Sequence, residues 1–193
     1  MADRDLADLR YRAIQQLGKI GELACNATDI EAALRLVTRA AFDVLGDRQA
    51  HLRPGALKPG EQQFVVCGIF LVTPEADSHL LIAEHGFPPE QHRLQIPIDT
   101  GHPGWVYQHR RPLILANTDA HADFKQILKT SRMGSALYGP MFWRGQMMGQ
   151  LLLAAQARHT FEQADLDILV TFAHLASTLY AAHDGAAWLR SLV

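Results

Sequence analysis

The chain has 193 residues, of which 48% are hydrophobic and 20% are charged, and its formal net charge at pH 7 is -2. This size and hydrophobic content suit one domain with long terminal helices, and the near-neutral charge argues against a polybasic surface for nucleic acid or anionic membrane. No apolar run is long enough for a transmembrane helix and the first residues show no signal-peptide pattern, so we expect a cytoplasmic protein with no membrane partner. The two cysteines show no paired spacing and the ten histidines form no metal-binding motif, so we expect neither a disulfide nor a metal site.

Two amphipathic helices are predicted at the N-terminus. In the first, from Asp3 to Asn26, apolar residues recur at spacings of three and four, and this stripe can pack on its own domain or on a second copy of itself. The stripe comprises Leu6, Leu9, Ala13, Leu17, Ile20 and Ala24. The second helix, from Asp29 to Leu45, is predicted to begin with Thr28 and Glu31 as a capping box and to end at Gly46.

The middle of the chain predicts a loop followed by short strands. Residues 47–63 are polar and rich in proline and glycine, which indicates a long surface loop or a flexible insertion. A short helix from Gly101 to Arg110 and a helical patch from Asp119 to Arg132 are also predicted. The predicted strands here are residues 64–72, 79–85, 93–98 and 113–116.

The stretch from Ser135 to Ala155 predicts two apolar strands joined by a turn at Arg144-Gly145. Because both strands are nearly continuous in apolar residues, both faces of this hairpin should be covered. The N-terminal helices and a long final helix, capped by Thr160 and running to about Ala187, would cover one face. Residues 86–134 would cover the other, with a small-molecule pocket beneath them. This order of elements indicates an antiparallel sheet of the α+β class.

From Phe64 to His183 the sequence resembles a GAF domain, a small-molecule sensing module of bacterial and eukaryotic signalling proteins. The matching residues are the strand ending in Phe70-Leu71-Val72, then Ala83-Glu84-His85-Gly86-Phe87, Gly101-His102-Pro103-Gly104-Trp105-Val106, Arg111-Pro112-Leu113, Asp123-Phe124, Ser135 with Pro140, Gly145 with Gly149, and Phe161 with Asp165 and Ala173. The resemblance implies a GAF-like, PAS-related α+β fold. Its antiparallel sheet of five or six strands has terminal helices on one face and a pocket under helices and loops on the other. It also implies a local irregularity at the proline inside the central strand.

The resemblance further implies a division of the chain into three parts. Residues 1–27 would be a dimerisation or signalling helix, residues 28–184 the GAF-like domain with a long loop at 47–63, and residues 185–193 a C-terminal tail. The terminal helices would form the interface of a homodimer, and a signalling effector protein or domain would be a further partner.

The expected pocket defines a set of candidate ligand-binding residues. They are Cys67, His85, His102, Trp105, Asn117, Phe124 and Tyr138. Each has a structural alternative: Trp105 can simply fill the core, the histidines can be surface or capping residues, and Asn117 can stabilise a turn. Strand parity places Tyr138 and Met141 on opposite faces, so at most one of them lines the pocket.

The resemblance implies a non-catalytic sensory or regulatory domain that binds an unidentified small molecule, with no particular cofactor indicated. One alternative is a free methionine sulfoxide reductase, because some GAF-like proteins have that activity. Its chemistry needs a nucleophilic thiolate with a resolving cysteine nearby. Here Cys67 lies in an apolar strand, Cys25 lies on the first helix, and the segment that carries the cysteines of that family contains none. The other alternative is a purely structural dimerisation module.

Overall fold

A computed structural model describes residues 5–121 and 133–192. Its strands form one six-stranded sheet in the order β3-β2-β1-β6-β5-β4, and every neighbouring pair is antiparallel. The strands are β1 Val65–Val72, β2 Ser78–His85, β3 Gln95–Pro97, β4 Leu113–Leu115, β5 Ser135–Trp143 and β6 Gln146–Ala155. The predicted α+β fold with an antiparallel sheet is confirmed.

Helices flank the sheet at both ends of the chain and in the middle. They are α1 Leu6–Ala24, α2 Ile30–Val44, α3 Gly101–His109, α4 Gln163–Ala182 and α5 Gly185–Arg190. Short 3₁₀ turns lie at Ala50–Leu52, Pro89–Gln91 and Thr118–Ala120. Within the described ranges, no helix is both long and apolar enough to cross a bilayer.

The starts of α2 and α4 differ from the prediction. Asp29, not Thr28, caps α2: its backbone is extended, and its carboxylate accepts a hydrogen bond from the backbone N–H of Ala32 at 2.7 Å. The capping box of α4 is formed by Glu162 and Asp165. Thr160 lies before it, and its hydroxyl donates instead to a backbone carbonyl of the preceding turn.

Helices α1, α2 and α4 cover one face of the sheet. Fully buried aliphatic and aromatic side chains fill this interface, each contributing about 1.5–3 kcal/mol by leaving water. They include Leu34 and Val37 of α2, Leu169 and Phe172 of α4, and Ile69, Leu137, Leu151 and Leu153 of the sheet. Helix α4 approaches β5 closely at Gly139, where an added Cβ would lie 3.2 Å from the Cβ of Ala173.

The opposite face is covered by α3 and its neighbouring segments. Because side chains alternate along a strand, the residues between those of the helix face point to this side. The second core formed here contains Val66, Phe70, Leu81, Ile96, Val106, Leu115, Tyr138 and Leu152. The two predicted covers of the central hairpin are therefore present in the described part of the chain.

The expected irregularity at Pro140 is found in β5. The register between β5 and β6 shifts between Met141 and Phe142, directly after the proline. On its other side, β5 pairs with β4 only from Ala136 to Tyr138. At Pro140 the strand therefore has a neighbour on one side only, where a residue without an N–H is tolerated.

Both chain ends pack on the helix-covered core. In α1, Leu9, Ala13 and Ile20 are buried there, so most of the predicted apolar stripe packs on its own domain. The C-terminal residues predicted as a tail form α5 instead. Asp184 adopts the left-handed conformation with φ 51°, which reverses the chain after α4 and brings Leu189 back into the core.

The segment 47–63 is an ordered loop, not a flexible insertion. Its Ala50 and Ala56 are buried, and Arg158, with 3% of its side chain exposed, reaches it from the end of β6. The guanidinium of Arg158 binds Glu61 of this loop through both of its terminal nitrogens and binds Asp119 at 3.0 Å. A buried cation with two carboxylate partners thus fastens the loop to the sheet.

We expect Arg158→Met to lower the free energy of unfolding at neutral pH by roughly 2–3 kcal/mol, because the partly buried Glu61 loses its guanidinium partner, whereas Asp119 keeps Lys58. Chemical denaturation measures this difference. Arg53→Met is the matched control: Arg53 lies in the same loop, is exposed and pairs with Asp47, and its loss should cost about 1 kcal/mol or less.

The same variant should lose its effect in acid. Hydrogen bonds from Lys58 and Arg158 lower the pKa of Asp119. Burial alone would raise the pKa of Glu61, but the hydrogen bonds and positive charges of Arg158 and Lys58 together outweigh it and lower that pKa. Lowered folded-state pKa values stabilise the fold above the ordinary carboxylate range, and this stabilisation disappears as pH falls from about 4. An equal destabilisation by Arg158→Met at pH 7 and in strong acid would contradict this assignment.

Candidate functional site

The α3 side of the sheet gathers two of the polar aromatic side chains that the sequence singled out, together with a third polar ring. His102 of α3 and Tyr138 of β5 are both buried, with ring centroids 6.3 Å apart. The exposed ring of His121, which follows the turn after β4, lies edge-on to His102 at 5.8 Å. Residues from three separate segments therefore meet between α3 and the sheet.

Local chain geometry holds α3 over this face. Gly101 begins the helix with φ 57°. At Gly104 an added Cβ would lie only 2.2 Å from the carbonyl carbon of Asp99, so the helix starts tightly against the preceding turn. At the other end, the guanidinium of Arg110 donates to the carbonyl of Gly145 in the β5–β6 turn. It also lies 5.1 Å from the ring centroid of Phe142. The start of α3 is thus packed on the turn before it, and its end is bound to the β5–β6 turn.

Burial sets the ionisation of Tyr138. It raises the pKa of the phenol above its ordinary value, so the hydroxyl is protonated at neutral pH and can donate a hydrogen bond. Together with the imidazole of His102, it offers a small molecule polar contacts inside an otherwise apolar wall. Such a combination is typical of ligand sites.

Trp105 and Asn117 make contacts that indicate structural roles. Trp105 is half-buried beside the α3-side core and stacks on His109 at a centroid distance of 4.2 Å. The side chain of Asn117 accepts a hydrogen bond from the backbone N–H of Asp119 at 3.0 Å, which is the turn-stabilising role. Phe124, the remaining aromatic candidate, lies outside the described residues.

Cys67 and His85 lie on the helix side of the sheet, so the expectation that they line a pocket beneath α3 is corrected. Cys67 is fully buried in the core formed with α1, α2 and α4. His85, at the end of β2, lies 3.0 Å from the guanidinium of Arg39 and contacts the ring of Phe42 edge-on, both residues of α2. The sheet separates both candidates from His102 and Tyr138.

A buried polar pair on the α3 side was missed by the sequence reasoning. The side chains of His79 on β2 and Gln150 on β6 are fully buried, and their Nε2 atoms are 3.1 Å apart. Gln150 also donates to the carbonyl oxygen of Pro103 in α3 at 3.1 Å. The signal was present in the sequence, since Gln150 interrupts an otherwise apolar strand.

A second cluster brings together residues that are distant in sequence. Possible metal-ligand atoms of Glu31, Glu84 and His92 lie within 4.8 Å of one another. Glu31 is already paired with Arg35 at 2.7 Å and with Arg93 at 2.6 Å, and Glu84 accepts from His92 at 2.8 Å. Because two guanidinium groups compensate the carboxylates, we interpret the cluster as an ion-pair network that links α2, β2 and the segment before β3.

Comparison with known proteins places this geometry in context. The family model of the GAF domain matches residues 29–179. The GAF domain from a phosphoenolpyruvate-protein phosphotransferase of Coxiella burnetii is similar with a TM-score of 0.73 and 20% identity, over 92% of this chain and 97% of that chain. Free methionine-R-sulfoxide reductase from Neisseria meningitidis, in complex with its substrate, is similar with a TM-score of 0.71 and 20% identity, over 96% of each chain.

A methyl-accepting chemotaxis protein fragment is also similar, with a TM-score of 0.63 and 19% identity over 86% of this chain and 96% of that chain. At these identities the solved structures establish the shared fold alone. No match was found among curated proteins.

The placement of the two cysteines predicts their reactivity. In the folded protein a thiol-reactive dye should label Cys25, which is exposed, and should leave Cys67 unmodified, because burial excludes the reagent and raises the pKa of the Cys67 thiol. Denaturant should expose both thiols. Absorbance of the released dye measures the number modified, and Cys25→Ser is the control that should abolish labelling of the folded protein. Rapid labelling of folded Cys25→Ser would contradict the structure.

Proposed function

The chain belongs to the GAF domain family, and from this premise we propose that it is a non-catalytic sensory or regulatory domain. It binds a small molecule between α3 and the sheet, and it signals through its terminal helices as a cytoplasmic homodimer. Its partner in signalling is an effector protein or domain.

The observation that carries this proposal is the burial of His102 and Tyr138 together beneath α3. A face that needed only to be filled could use apolar side chains alone, whereas His102 and Tyr138 bring an imidazole and a hydroxyl into it. Polar groups on a wall that is otherwise apolar provide orientation for a bound molecule. Helix α3, with 9 residues, is shorter than α1, α2 and α4 on the other face, so we expect ligand binding to displace this cover.

The positions of the cysteines support a role without thiol chemistry. The similar reductase from Neisseria meningitidis shares the fold at low identity. In this chain Cys67 is buried on the helix side of the sheet with a raised pKa, and Cys25 follows the end of α1. A reductase mechanism needs an accessible thiolate beside its substrate, and neither thiol lies on the face beneath α3.

Arg93 provides a physical connection between the cover and the terminal helices. It lies in the segment between β2 and β3, in the left-handed conformation with φ 62°. Its guanidinium binds Glu31 of α2 at 2.6 Å and lies 5.4 Å from the ring centroid of Trp188 in α5. A ligand that favours one position of the cover would shift the population of these contacts, and the helices would respond.

The dimer interface in this proposal is the exposed side of α1. Most of the stripe predicted from the sequence is buried in its own domain, but Tyr11 and Ile14, which are not part of that stripe, are 61% and 67% exposed on another side of α1. Gly18 and Gly21 continue the spacing of three and four, and nothing lies within 4 Å of a Cβ built at either position. A large apolar pair followed by two small residues on one face allows a second α1 to approach closely.

The ligand proposal predicts that a thermal-shift screen with metabolites, nucleotides and inorganic anions will find a compound that raises the melting temperature. Tyr138→Phe should weaken that compound about tenfold, because the hydroxyl that meets the ligand is lost. Tyr180→Phe is the matched control: Tyr180 is also buried and its pKa is raised to about 12, but it lies on the helix side. A screen without any stabilising compound would favour the purely structural dimerisation module. Equal weakening by both variants would place the ligand elsewhere.

The dimer proposal predicts that Ile14→Asp will convert the protein to a monomer, because each copy would bury a charge in the shared face. Leu52→Asp is the matched control, since Leu52 is 70% exposed but lies in the 47–63 loop. Sedimentation velocity measures the oligomeric state. If Ile14→Asp and wild type sediment as the same species, α1 does not form the interface.

A further inference from the structure

His79 and Gln150 meet above the middle of the sheet, on the same side as α3. They lie on β2 and β6, which are separated by β1: His79 is opposite Val72, and Gln150 is opposite Phe70. Each side chain reaches over β1 until the two Nε2 atoms are 3.1 Å apart. Both side chains are fully buried.

The hydrogen bonds fix the orientation of both groups. The carbonyl oxygen of Pro103 can only accept, so the Gln150 atom 3.1 Å from it must be the amide nitrogen. The second N–H of that nitrogen then donates to Nε2 of His79. A neutral imidazole carries one proton, so the proton of His79 is on Nδ1. Burial supports the neutral form, since it lowers the pKa of His79 to about 4.

This assignment leaves one donor and one acceptor without partners. Nδ1 of His79 and Oε1 of Gln150 are both buried and have no hydrogen-bond partner among the described residues. Buried polar atoms in proteins nearly always have a protein or water partner, so this pair requires an explanation. The two atoms belong to side chains already in contact, so a partner for each has to lie in the same part of the α3-side core.

Resting on the proposed function, we propose that His79 and Gln150 form the subsite for a primary carboxamide group of the ligand. The carboxamide oxygen accepts from Nδ1–H of His79, and its NH₂ group donates to Oε1 of Gln150. A carboxamide carries its acceptor and its donor on two different atoms. It can therefore pair with a donor on β2, which is His79, and with an acceptor on β6, which is Gln150. The ring of Tyr107 in α3, edge-on to His79 at 5.8 Å, provides an apolar side wall.

The charge of the surroundings selects against ionised groups. A carboxylate would bring two acceptors to a site that offers one donor, and it would place a second acceptor against Oε1 of Gln150. A desolvated charge without a counterion is strongly disfavoured. The subsite thus distinguishes a carboxamide from the carboxylate of the same shape.

Nuclear magnetic resonance of the full chain, labelled with ¹⁵N-histidine, tests this inference with acetamide and acetate as probes. The nitrogen shifts of His79 should show the Nδ1–H form before any addition. Acetamide should then shift the Nδ1 signal in a saturable manner, and acetate should not. Gln150→Leu, which is close in size, should weaken the acetamide response about tenfold or more. Gln146→Leu is the matched control, because Gln146 is an exposed residue at the start of the same strand.

Several outcomes would overturn the subsite. They are a proton on Nε2 of His79, equal responses to acetamide and acetate, and an acetamide response that Gln150→Leu leaves unchanged. An unchanged Nδ1 signal with acetamide would assign the two atoms to a buried water only. The metabolite screen separates the two proposals. Compounds that stabilise wild type and Gln150→Leu equally would support the sensory function and contradict this subsite. An acetamide response at His79 with no stabilising metabolite would support the subsite and contradict the sensory function.

Discussion

The burial of the β5–β6 hairpin on both faces is the constraint on which the structure depends. Strand β6 has β1 on one side and β5 on the other, so it lies inside the sheet, and its residues from Gly149 to Ala155 are all buried. A sheet of this kind is stable only when each face has a cover. The chain supplies two unlike covers, and this asymmetry separates the structural side of the molecule from its candidate functional side.

The sequence predicted what local periodicity determines. Alternation within β5 placed Tyr138 and Met141 on opposite faces, and the structure confirms it, because parity along one strand needs no knowledge of its neighbours. Parity between strands does need that knowledge. Cys67 pairs with Leu153, which pairs with Leu137, so the pairing register fixes Cys67 to the helix side. The irregularity between Cys67 and Ile69 in the β1–β2 pairing adds a shift that no local pattern shows.

The polar contacts that organise the irregular parts of the fold could not be predicted from the sequence, because they join residues that are far apart in the chain. Arg158 meets Glu61 across 97 positions of the chain, and Arg93 meets Glu31 across 62. Charged residues are common on protein surfaces, so the sequence alone does not indicate which of them will form ion pairs. Gln150 is the exception. A glutamine inside a buried strand conflicts with the apolar pattern around it. Such a conflict between the local sequence and the buried position is typical of sites where function competes with stability.

The two covers differ in a way that gives the proposed signal a direction. On the helix side, α1, α2 and α4 share one continuous apolar core with the sheet, and close packing makes it costly to move one element alone. On the other side, α3 is held at its ends by a tight turn and by Arg110, and buried polar groups lie beneath it. A ligand can shift an equilibrium only by the difference in its affinity for the two states, so it acts where binding and movement coincide. Under the proposed function, that place is beneath α3. Arg93, in the segment between β2 and β3, contacts both α2 and α5. In the proposal it connects this side of the sheet to the helices that an effector would bind.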